Sequence, residues 1–68
     1  MALTPDEYIE ALYEAGAPRG AGLLELDREA ARMLQVDERT ARRYRKGVRP
    51  VPGPVAVALF ALAAAKGI

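Results

Sequence analysis

Asp27-Arg28-Glu29-Ala30-Ala31-Arg32-Met33-Leu34-Gln35-Val36-Asp37-Glu38-Arg39-Thr40-Ala41-Arg42-Arg43-Tyr44-Arg45-Lys46-Gly47 is the stretch whose reading decides the fold. Its first nine residues are helical in composition, with Ala30, Leu34 and either Ala31 or Met33 at the spacing of one inward face. Asp27 reads as the cap of this helix. The pattern breaks at Val36-Asp37 and restarts. Asp37 is a second cap, Glu38 suits a first turn, Ala41 and Tyr44 mark a buried side, and Gly47 is a left-handed stop. Two short helices separated by about three residues form a helix-turn-helix over about 27–46.

Toward the N-terminus, Leu3-Thr4-Pro5-Asp6-Glu7-Tyr8 reads as a helix start. Thr4 caps, Pro5 fits the first helical position, and Glu7 completes a capping box. Leu3 and Tyr8 are spaced for a hydrophobic staple. With Leu12 and Tyr13 on the same period and Gly16 as the stop, this predicts a helix over about 5–15. Ala17 to Gly22, with Pro18, Gly20 and Gly22, is a loop. Leu23, Leu24 and Leu26 allow two readings, a short turn packed on the core or the beginning of a longer second helix.

Toward the C-terminus, Pro50 and Pro52 hold residues 48–53 extended. Gly53-Pro54 then opens a last helix over about 54–66, with Gly67 as its stop. This helix is apolar nearly all round, since Val55, Val57, Leu59, Phe60 and Leu62 point to more than one face. Such a helix is either deeply buried or shared with a partner. Each Leu or Phe buried is worth about 1.5–3 kcal/mol. Leu59, Phe60 and Leu62 are therefore the expected contacts of a homodimer. The whole chain, 1–68, reads as one all-α domain of four to five helices.

A chain of 68 residues leaves much of its surface in water and needs regular helix packing or self-association to be stable. It contains no Cys, His or Ser. The usual nucleophiles and the commonest general base are thus missing, no disulfide forms, and a metal would have to be held by carboxylates alone. An enzyme, a cofactor and a structural metal are all unexpected. So is a small-molecule effector. Charge is informative only by position. Residues 1–38 carry nine acids and three arginines, net −6, whereas residues 39–68 carry seven Lys and Arg and no acid, net +7, together the chain's +1. Such asymmetry points to a polyanionic partner, or else to a basic half that faces its own acidic half. Arg39, Arg42, Arg43 and Lys46 fall at i, i+3, i+4 and i+7, one stripe on the second helix of the helix-turn-helix. Four neighbouring cations repel, so the stripe needs compensation: phosphates and base edges of a DNA groove are the expected source, and a solvated face neutralised by acids of the first two helices is the alternative.

The segment 27–46 resembles the helix-turn-helix of lambda-repressor-like (Cro/XRE-type) regulators. Ala31 stands at that pattern's small residue, Val36 at the apolar site after the turn, and Ala41 and Tyr44 at the two buried sites of the recognition helix. The run from Val36 through Tyr44 and then Gly47-Val48-Arg49-Pro50-Val51-Pro52-Gly53-Pro54-Val55 is similar to small regulators of phages and GC-rich bacteria, anti-CRISPR-associated repressors among them. Two departures stand out. Gln35 occupies the turn position where the family usually has Gly, and residues 17–26 exceed the usual link between the first two helices. The resemblance implies Arg39 and Arg43 as base readers, with Thr40 and Arg42 beside them. It also implies Arg28 as a backbone contact, with Arg49 either a further phosphate contact or a solvated loop arginine; Lys46, at the end of the basic stripe, is a third expected backbone contact.

The expected function is a sequence-specific, double-stranded-DNA-binding transcription regulator, a homodimeric repressor reading an inverted repeat through the major groove. Its alternative is a helical protein–protein adaptor, an antitoxin or phage inhibitor, whose basic helix grips an acidic partner. Asp6 and Glu7 stand where a secretory signal would need a basic start, and the apolar stretch from Val51 to Ala65 is shorter than a membrane span. A cytoplasmic location, in a bacterial or phage-infected cell, is the expectation, with no membrane partner.

Overall fold

The computed structural model describes residues 3–66. Four helices are present among them: α1 (Pro5–Glu14), α2 (Leu23–Leu34), α3 (Glu38–Lys46) and α4 (Gly53–Lys66), with no strand. The class is all-α.

α1 starts as its sequence requires. The Glu7 backbone N–H donates to the Thr4 hydroxyl at 3.2 Å, and the Thr4 N–H donates to the Glu7 carboxylate at 2.9 Å, a complete capping box. The helix places Tyr8, Ala11 and Leu12 in the core, with Leu3 and Ile9 packed at its edge. Two glycines follow helices in the left-handed region, Gly16 after α1 and Gly47 after α3. At Gly47 (φ 75°) a Cβ would also lie 2.9 Å from Pro5 Cγ, so both the backbone and the contact with α1 require glycine.

α2 corrects one expectation. Asp27 does not cap this helix; Leu23 begins it, with Gly22 in the N-cap position and no side-chain cap. Of the two readings of Leu23, Leu24 and Leu26, the longer helix is realised. The reason is the inward face, where Leu26, Asp27 and Ala30 are buried and Ala31 and Leu34 pack at the edge. Starting at Asp27 would leave Leu26 outside the helix that positions it. α2 ends at Gln35, which adopts a left-handed conformation (φ 56°, ψ 43°) that L-residues other than Asn, Asp and Gly seldom take.

α3 is capped by Asp37, whose carboxylate accepts from the Thr40 N–H at 2.8 Å. It packs on α2 and α1 through Ala41 and Tyr44. The Tyr44 and Tyr8 rings meet edge to face, with centroids 5.8 Å apart, an arrangement worth about 0.5–1.5 kcal/mol beyond the burial itself. Val51, in the extended stretch between α3 and α4 with Pro50 and Pro52 on either side, plugs the core with 2% of its surface exposed.

α4 packs on α1 and α2 through Ala56 and Leu59, with Val55 at the core's edge. A second correction follows. Leu59 is fully buried in the chain's own core and is not available to a partner. Phe60 and Leu62, by contrast, remain 53% and 38% exposed, and Val57 is exposed beside them. The expected stop at Gly67 lies outside the described residues. Among the described residues, no helix is long and apolar enough to cross a membrane.

Candidate nucleic-acid interface

The basic residues of α3 divide into two sets according to what lies beneath them. Arg39 and Lys46 are exposed, Arg43 is half-buried, and Arg49 is exposed in the loop beyond α3. None of these four makes an ion pair among the described residues. They form a band of positive charge, free of ion pairs among the described residues, along α3 and past its end. Thr40 is half-buried in the first turn, with its backbone N–H committed to the Asp37 cap.

Arg42 and Arg45 belong to the other set. Both reach back to Asp27, which is only 1% exposed. Arg45 takes it in a bidentate grip, Nε to Oδ1 at 2.7 Å and Nη2 to Oδ2 at 3.0 Å, and Arg42 Nε lies 3.3 Å from Oδ2. The Arg45 side chain is 11% exposed and that of Arg42 39%. The carboxylate is thus satisfied by three N–H groups, and no buried side-chain N or O lacks a partner among the described residues. A buried pair contributes little net stability over an apolar replacement, but removing one member strands a charge at about 3–5 kcal/mol. The hydrogen bond from Arg45 to Asp27 raises the already high Arg45 pKa, so this guanidinium keeps its proton.

Tyr8 closes the same site from α1. Its ring is fully buried and its hydroxyl faces the Ala41 carbonyl oxygen, 3.5 Å away, a weak hydrogen bond. Burial pushes the Tyr8 hydroxyl pKa up, with the nearby Asp27 charge adding to it, and the phenol stays neutral. α2 and α3 therefore meet around one carboxylate and two guanidiniums, and the Tyr8 phenol of α1 lies against α3 at Ala41.

The sequence-derived residues are distributed accordingly. Arg39, Arg43 and Lys46 share an open face, with Thr40 below it. Arg42, expected to touch bases, corrects to a side chain already engaged with Asp27. Arg28 sits on α2 with its Nε 3.5 Å from Glu38, both side chains exposed; such a surface pair is worth about 0–1 kcal/mol and exchanges readily. Arg45 went unassigned in sequence, although a signal existed. Asp27, Ala30, Ala31 and Leu34 follow i, i+3, i+4 and i+7, which puts an acid on the buried stripe of α2. Arg45 lies one turn beyond the buried Ala41 on the facing side of α3, the natural place for its counter-charge.

Elsewhere the charges are locally paired. Arg19 donates to Glu10 at 3.0 Å, lies 5.0 Å over the Tyr13 ring, and has its pKa raised by the Glu10 hydrogen bond. Arg32 pairs with Glu29 one turn earlier. A surface depression of about 220 Å³ is lined by Glu25, Arg28, Glu29 and Arg32 along α2, smaller and more charged than a typical ligand site. Hydrogen bonding from Thr40 holds the Asp37 carboxyl below its ordinary pKa, with Arg39 and Arg43 adding to the effect. Comparison with protein-family models, with curated proteins and with solved structures finds no match for this chain.

Proposed function

We propose that this chain is a sequence-specific duplex-DNA-binding regulator in which α2, the turn at 35–37 and α3 act as a helix-turn-helix of the lambda-repressor-like kind. The observation that carries this reading is the band Arg39, Arg43, Lys46 and Arg49. It is positive, unpaired among the described residues and mounted on a helix fixed at both ends, by the Asp37 cap and by Gly47 against Pro5. α3 enters the major groove. Arg39 and Arg43 read base edges with Thr40 beside them, since a guanidinium matches guanine O6 and N7 in a bidentate fork. Lys46 and Arg49 hold phosphates, and Arg28 exchanges Glu38 for one.

A homodimer completes the reading, with repression by occupancy of an inverted repeat. From Gly53 to Ala65, α4 offers no charged or hydrogen-bonding side chain, and Val57, Phe60 and Leu62 stand exposed on it. A second copy presents an equally uncharged face, so neither partner has to desolvate a charge. Sedimentation at micromolar protein is expected to give a species of about 14.6 kDa, twice 7.3 kDa. A clean monomer that still binds a palindrome tightly would remove the dimer from the proposal.

The test of DNA reading is selection of bound sites from a random duplex pool, followed by Arg39→Ala and Arg43→Ala on the selected site. Each substitution is expected to weaken specific binding by about 1–3 kcal/mol and to relax preference at one base pair. Arg39→Lys still impairs discrimination, because an ammonium cannot reproduce the fork. If no duplex is selected, or if both alanine variants bind as the wild type does, the adaptor reading with an acidic protein partner takes its place.

A further inference from the structure

Resting on the DNA reading, we propose that Asp27 is a specificity-determining positioning residue: it withholds Arg42 and Arg45 from DNA phosphate and locks α3, so that only Arg39, Arg43, Lys46 and Arg49 reach the duplex. Three observations carry this. Asp27 is the one buried carboxylate among the described residues, and it accepts three hydrogen bonds from two guanidiniums three residues apart on α3. Arg42 nevertheless stays 39% exposed, so without Asp27 its head is free to swing to solvent or to a phosphate. Arg39 and Arg43 flank Arg42 and have no such counter-charge among the described residues.

The physical consequence concerns the difference between two binding modes. Random duplex is held by phosphate contacts, and each additional cation offered to the backbone strengthens that mode and steepens its salt dependence. Specific binding needs α3 in one orientation, with side chains within hydrogen-bonding distance of particular base edges. A clamp that neutralises Arg42, anchors Arg45 and fixes α3 against α2 lowers the first and supports the second. Asp27 therefore acts on discrimination without touching DNA.

The experiment compares the selected operator with a random duplex of equal length across a salt series, for the wild type, Asp27→Asn and the double variant Asp27→Leu/Arg45→Met. The asparagine keeps the shape and loses the charge. The double variant replaces the buried ion pair by apolar side chains, a change that folded proteins tolerate well, and it keeps the test available if Asp27→Asn does not fold. The expected result is a loss of about tenfold in the operator-to-random ratio. Random-duplex affinity is expected to hold or rise, with its salt slope steeper by about 0.9 for each released Arg42, so about 1.8 for a dimer. A residue needed only for folding would lower the melting temperature and move neither ratio nor slope. A folded double variant with wild-type ratio and wild-type slope overturns the proposal while leaving the DNA reading intact. A wild-type chain that selects no duplex overturns both.

Discussion

α3 and α4 do similar work inward and opposite work outward. Each sends two residues into the core, Ala41 and Tyr44 from α3, Ala56 and Leu59 from α4. Of the nine residues of α3 six are charged, two of them turned back to Asp27, whereas α4 has no charge in the thirteen residues before Lys66. Neither outer face helps this domain fold alone, because like charges repel on α3 and exposed apolar area gains nothing on α4. The contrast separates the residues that pack the domain from those that face away from it.

The largest expected effect separates the two faces of α4. Leu59→Ala removes a fully buried side chain and should cost about 2–5 kcal/mol, a large share of the stability of so small a domain. Phe60→Ala, its immediate neighbour, should leave thermal melting in dilute solution within about 0.5 kcal/mol of wild type. Its effect should appear in sedimentation, and in the loss of any dependence of melting on protein concentration. Equal destabilisation by both would mean that the outer face is not outer.

A second test asks whether the end of α3 is set by α1. Gly47→Ala combines left-handed strain with a Cβ placed 2.9 Å from Pro5 Cγ, and should cost about 1–2 kcal/mol in chemical denaturation. Wild-type stability would show that Pro5 and the backbone give way freely, and that α3 is held less firmly than its band of cations requires.

The end of α2, in the turn that leads into α3, should respond in the opposite direction. Gln35 holds φ 56° with no glycine to relieve it, so Gln35→Gly should stabilise by about 0.5–1 kcal/mol once the greater freedom of the unfolded glycine is subtracted. The gain should appear as a rise of several degrees in melting temperature. Under the proposed function, affinity for duplex DNA measured well below the transition should not change.

The smallest effect is electrostatic. Thr40 lowers the Asp37 pKa, so the folded state favours the ionised carboxylate. Its contribution is therefore fully present above the ordinary carboxylate range and is lost as pH falls through the lowered native value. Melting temperatures followed from about pH 5 to about pH 2 should fall more steeply for the wild type than for Asp37→Asn, whose amide still caps but does not titrate. Parallel curves would show that the cap acts without its charge.

Much of the architecture was legible because it depends on neighbours in sequence. The capping box at Thr4 and Glu7, the Asp37 cap, the stop at Gly47 and the inward spacing of Ala41 and Tyr44 are local, and each is where its spacing put it. The asymmetry of charge and the cationic stripe were likewise readable by counting residues along a helical period. Asp27 was misread for a physical reason. An Asp before a helical run is a good cap, and whether it is one depends on whether Leu23 and Leu24 join the same helix. That choice is made by the core, which takes Leu26 and Ala30 from one continuous face.

The amino-acid sequence by itself determined that the chain is helical, where α1, α3 and α4 start, and that one helix is cationic and one apolar. These follow from backbone chemistry and from periods of three and four residues. Only the tertiary structure decided which of Leu59, Phe60 and Leu62 faces inward, that Val51 fills the core between two prolines, and that Arg42 and Arg45 close on Asp27 while Arg39, Arg43 and Lys46 do not. Pairings between residues fifteen and eighteen positions apart depend on how α2 and α3 lie against each other. That arrangement is set by mutual burial, which no residue's local neighbours encode.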